Sequence, residues 1–200
     1  MQPFFRILSL ITVISAVGCG SETSVPLSGN TPSTPVAQDL KVDTSSPETA
    51  LEGFLDALRT GDDVQARLVL TSKAQQETEK HDLAVAPQGS STAKFGLGET
   101  KYVGREGRLA HVASWWTDVD QDSQPFRYDI VWVLKQETPG WRVSGLSTRL
   151  FDGGNPVLLN FEDPAEMERN TVAAREELME HMQRTRQANQ PQVPNGTQRR

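Results

Sequence analysis

From Phe126 to Lys135 the chain alternates: Phe126, Tyr128, Ile130, Trp132 and Leu134 fall to one side, Arg127, Asp129 and Lys135 to the other. A period of two belongs to a strand with one buried face and one wet face, so this run commits the chain to a sheet laid on a core. Stretches at about Lys94 to Val103, Arg108 to Thr117 and Trp141 to Leu150 read as further strands. Turn residues separate them at Gly104 to Gly107, Asp118 to Gln124 and Thr138-Pro139-Gly140, and connections this short force antiparallel pairing.

Upstream the period is helical. Ser45-Ser46-Pro47-Glu48 offers a hydroxyl cap, proline at the first helical position and an acid in the first turn. Ala50, Leu51, Phe54, Leu55 and Leu58 then recur at helical spacing until Gly61, where Asp62 can cap a second helix with Val64, Leu68 and Val69 on one face. A third, surface helix is expected from Ser72 to about His81, and a loop from Leu83 to Ala93. Beyond the sheet come a Gly-rich bend, an apolar segment from Pro156 to Phe161, and a helix opened by Asp163-Pro164 and running to about Gln187.

The first residues are of another kind. Arg6 precedes an apolar run from Ile7 to Val17, too short for a confident membrane span and without a basic flank on its far side, which is the pattern of a signal peptide. Its end, Ala16-Val17-Gly18-Cys19, resembles the bacterial lipobox, although Ala16 stands where leucine is usual. Cys19 is the single cysteine of the chain and cannot close an internal disulfide. Acylation at Cys19 would account for its presence and position, and several acyl chains at about 0.8 kcal/mol per buried methylene would hold a soluble domain on a membrane. The expected location is the cell envelope, with the domain facing the periplasm or the exterior. Residues 21–44, rich in Ser, Thr, Pro and Gly, read as a tether, and the Gln- and Pro-rich end from Ala188 as a disordered tail.

The formal charge is −6, and it becomes one unit more negative when Arg6 leaves with the leader. No basic run interrupts it along the sequence, so neither nucleic acid nor an anionic membrane surface is expected as a partner. Three dispersed histidines leave no zinc spacing, and no cofactor is implied. Asp118, Asp120 and Asp122 alternate like the first ligands of a calcium loop, but Ser123 stands where glycine is needed and Asp129 where a helical Glu is needed; a solvated turn is the simpler reading.

Phe54-Leu55-x-Ala57-Leu58-x-x-Gly61-Asp62, a second helix ending in Leu70-Thr71, and Gly140-Trp141-Arg142-Val143 at the last turn of an antiparallel sheet resemble the nuclear transport factor 2-like superfamily, also called the ketosteroid isomerase-like fold. The resemblance covers roughly residues 46–151. It implies an α+β fold in which a curved antiparallel sheet wraps N-terminal helices into a cone with a cavity at its open end; the C-terminal helix would be an addition. The expected organisation is a leader and lipobox over 1–19, a tether over 20–44, a cone domain over 45–160, a C-terminal helix over 161–187 and a tail over 188–200.

In such a cone the cavity would be lined by Phe54, His111, Trp116, Tyr128 and Trp132, a set suited to a small apolar ligand. The plainer reading of these aromatics is core packing. Adjacent Trp115 and Trp116 must point to opposite faces, which leaves one of them exposed or under the C-terminal helix. Enzymes of the superfamily place an acid, His or Tyr inside the cone, which makes His111, Tyr128, Tyr102, Asp56 and Asp129 the groups to locate. In the C-terminal helix Met167, Thr171, Ala174, Leu178 and Met182 form a stripe widened by Met179; it either packs on its own sheet or meets a second copy or another protein. Taken together, these features lead us to expect a non-enzymatic, membrane-anchored module that binds a small ligand or a protein, with a small hydrolase or isomerase as the alternative.

Overall fold

The computed structural model describes residues 42–85, 89–120 and 123–188. The leader, Cys19, most of the tether and nearly all of the tail lie outside them, as does Asp122. Helix α1 (Pro47–Thr60) starts as the sequence predicts: the Ser46 hydroxyl accepts the Thr49 N–H, and the Thr49 hydroxyl reciprocates at the Ser46 backbone. Gly61 ends it with φ 74°, a left-handed geometry that glycine adopts without steric cost. Helix α2 (Asp63–Val69) is capped by Asp62 and helix α3 (Ser72–Lys80) by Thr71. In α2 the buried residues are Gln65, Ala66 and Val69, whereas Val64 is exposed. The predicted Val64, Leu68 and Val69 face is therefore rotated: in a helix of two turns, tertiary contacts choose which side is buried. Helix α3 lies at the surface as expected, held by Ala74 and Thr78 four residues apart.

Five strands follow: β1 (Lys94–Val103), β2 (Leu109–Val119), β3 (Pro125–Glu137), β4 (Gly140–Arg149) and β5 (Pro156–Asn160). They form one open antiparallel sheet in sequence order, so the protein is α+β. The apolar segment from Pro156 is thus a fifth strand, a role its sequence does not announce. β2 also runs two residues further than expected, placing Asp118 inside the strand.

Helix α4 (Pro164–Ala188) packs along β5, with Met167 and Ala174 joining Val157 and Leu159 in the core. Leu178 and Met182 are half-buried, and Met179 is 50% exposed. Of the two outcomes left open for this helix, its first half takes the packing on its own sheet. Among the described residues no helix is long and apolar enough to cross a membrane.

The sheet has two unlike faces. Val112 pairs with Trp132, Trp132 with Leu146 and Leu146 with Leu159, so these four share the inner face on which α1 lies. Phe54 of α1 meets the Trp132 ring edge-on, 5.4 Å between centroids. The outer face carries Trp115, Ala113, Val131, Ser147 and Leu158, related by the same register.

Candidate functional site

The inner face collects most of the aromatic residues. Trp116 and Tyr128 are directly paired across β2 and β3, and Trp132 lies four residues along β3 on the same side. All three are buried, as is Phe54. Phe95 stacks on Trp116 at 6.0 Å and Phe126 leans on Tyr128 at 5.0 Å, and both of these outer rings are only partly buried. The wall therefore grades from the buried Phe54–Trp132 contact to the partly buried rings of Phe95 and Phe126.

One polar contact organises the closed end. The Trp132 indole N–H donates to the Ser114 hydroxyl at 2.9 Å, with both residues buried. Inside a core an indole N–H needs such an acceptor, and the contact fixes the ring. Ser114 was not singled out from the sequence; one place opposite Ile130 in the register puts it within reach of Trp132. Burial also pushes the Tyr128 phenol above its ordinary range, so it stays protonated.

His111 does not join this wall. It pairs with Val133 on the outer face, opposite in parity to Val112, Ser114 and Trp116. The grouping of His111 with Phe54, Trp116, Tyr128 and Trp132 is thus corrected: four come together and the histidine lies across the sheet. Of the other acid–base candidates Tyr128 stands in the wall, and the remaining three lie elsewhere. Asp56 is paired with Arg59 on the outside of α1 at 2.6 Å. Asp129 is bound to Arg127 on the outer face at 2.9 Å. Tyr102 is mostly exposed, with its ring edge-on to Trp141.

No match is found among protein-family models, curated proteins or solved structures.

Trp115 is the partner left over on the outer face. It lies over Gly96, where an added Cβ would stand 2.7 Å from the indole, and the Arg127 guanidinium sits 5.3 Å from its ring centroid. Its cover is thus a glycine and a cation from the two flanking strands. At the β2 end, Asp118 accepts hydrogen bonds from the Ser90 and Thr92 hydroxyls and from the Val119 N–H at 2.8 Å, and Asp120 accepts the Gln124 N–H at 2.8 Å. Among the described residues no three His, Cys, Asp or Glu side chains gather as metal ligands would. A cleft of about 790 Å³ separates the end of α3 from the start of α4, lined by Lys73, Glu77, His81, Glu162 and Glu168 among others. Its wall is held by Glu162, which takes the Lys135 ammonium at 2.7 Å and the Thr71 hydroxyl at 2.9 Å.

Proposed function

We propose that this chain is a lipid-anchored envelope protein, held through acylated Cys19, whose domain is a cone of the nuclear transport factor 2-like type that binds a small apolar ligand without acting on it chemically. The observation that carries the binding reading is the aromatic wall. Phe54, Trp116, Tyr128 and Trp132 share one face, and the partly buried rings of Phe95 and Phe126 extend it toward the surface. A hydrolase or isomerase would need an acid or base within about 3 Å of the reacting atoms. His111, Asp129, Asp56 and Tyr102 lie away from the wall, and Tyr128 within it is a phenol whose pKa burial pushes up, which favours binding over catalysis.

Titration of the folded chain with anilinonaphthalene sulfonate tests this. The expected result is saturable dye fluorescence that palmitate displaces, weakened by Phe126→Asp at the rim. Dye and palmitate that both fail to bind saturably to folded protein would overturn the ligand-binding reading.

A further inference from the structure

The sequence shows no basic run, yet the register assembles basic residues on one surface. Lys94 and Arg127 flank Thr117, and Lys101 pairs with His111, all on the outer face. Arg149 joins them two residues beyond Ser147, the outer-face partner of Val131. Four cations drawn from a stretch of more than fifty residues thus share a face with two carboxylates, Glu99 on Lys101 at 3.1 Å and Asp129 on Arg127 at 2.9 Å, which leaves an excess of two positive charges on a chain whose formal charge is −6. Between them lie half-buried Trp115 and the exposed side chains of Val131 and Leu158, 40% and 42% accessible. At the β4 end, Lys135 and Arg142 are balanced by Glu162 and Glu137.

The carboxylate excess lies on helices, caps and turns: Glu48, Glu52 and Asp56 on α1, Glu166, Glu168, Glu176, Glu177 and Glu180 on α4 beside β5, and Asp62, Asp82, Asp152 and Asp163 at caps and turns. At the β2–β3 corner Asp118 is engaged by Ser90 and Thr92, and Asp120 accepts the Gln124 N–H.

We propose that the outer face of the sheet, through Lys94, Lys101, Arg127, Arg149 and Trp115, rests on an anionic lipid bilayer. Excess positive charge supplies the complementarity, and an indole flanked by cations and aliphatic side chains suits the boundary between headgroups and acyl chains. The proposal rests on the anchored reading for bringing the domain to a bilayer, and it departs from the expectation, drawn from net charge and the absence of a basic run, that anionic membranes are not a partner.

The test uses the chain from Gly20 onward, which retains every described residue but neither leader nor Cys19, so its outcome is independent of acylation. Mixed phosphatidylglycerol and phosphatidylcholine vesicles should shift the tryptophan emission to the blue, with Trp115 as reporter because Trp116, Trp132 and Trp141 are buried. Raised salt should reverse the shift. Lys94→Gln with Arg149→Gln should weaken partitioning about thirtyfold, since each basic residue near an anionic surface is worth roughly fivefold. Lys80→Gln on α3 should leave it unchanged, and circular dichroism checks that the variants are folded. Equal partitioning onto phosphatidylcholine alone, unchanged binding of the double variant, or binding to soluble dextran sulfate without binding to vesicles would each overturn the proposal.

Discussion

Replacing Ser114 with alanine removes one hydroxyl and leaves the Trp132 indole N–H facing a core with no acceptor in place of the 2.9 Å hydrogen bond. Both residues are buried, Ser114 at 6% and Trp132 at 3% accessibility, so water cannot stand in without opening the sheet. An unsatisfied buried donor costs about 1–3 kcal/mol, and Ser→Ala gives up no apolar contact that would confuse the accounting. For a fold of this size each kcal/mol moves the melting midpoint by roughly 2–4 °C, so a central loss of about 2 kcal/mol predicts a fall of about 4–8 °C. Urea unfolding should show the loss as a lower midpoint at unchanged slope. Introducing Ser114→Ala into a Trp132→Phe background should cost far less, because no donor is then stranded, and the double-mutant cycle should return a coupling of about 1–2 kcal/mol. Equal costs of Ser114→Ala in both backgrounds would refute the role given to this hydrogen bond.

Three further outcomes follow from the packing and charge. Gly145→Ala places a Cβ against the Leu159 backbone carbonyl, which can yield only by parting β4 from β5; a loss of about 2 kcal/mol or more in urea unfolding is expected, with faster hydrogen exchange from Val157 to Asn160. Met167→Ala should destabilise by about 2 kcal/mol while Met179→Ala stays within about 0.5 kcal/mol, because the first side chain is buried beside β5 and the second is half-exposed. The Thr100 hydroxyl holds the Glu48 carboxyl below its ordinary value of 4.5, so its stabilising effect is present above that pH and is lost as the pH falls through the lower folded value. Thermal melts of Glu48→Gln across the acid range should accordingly lose less stability on acidification than those of the parent chain.

The strand with the plainest alternation was the most legible part of the fold, because one of its faces is buried and the other is charged. β2 was harder to read. Val112 and Ala113, then Trp115 and Trp116, are apolar on both sides, so no period assigns a face to His111; only the pairing with β3 does. β5 was hidden for a related reason. Val157, Leu158 and Leu159 are uniformly apolar, and the outward position of Leu158 is set by Ser147 across the ladder. The helix boundaries were readable where a side chain makes the boundary, as Ser46, Gly61 and Asp62 do. At the site, the aromatic wall follows from alternation within β3 together with the helical stripe of α1. The Ser114 acceptor and the basic outer face are products of register between distant residues, which no window along the chain contains.

Native mass spectrometry of the protein purified from the cells that make it tests the proposed anchored binding module most directly, since one spectrum reports the mass at Cys19 and any retained ligand. The expected spectrum shows a chain beginning at an acylated Cys19 and carrying a small apolar molecule that is lost on unfolding. An unacylated chain that retains residues ahead of Cys19, or an acylated chain that never carries such a molecule, would contradict the proposal in its anchor or in its binding role respectively.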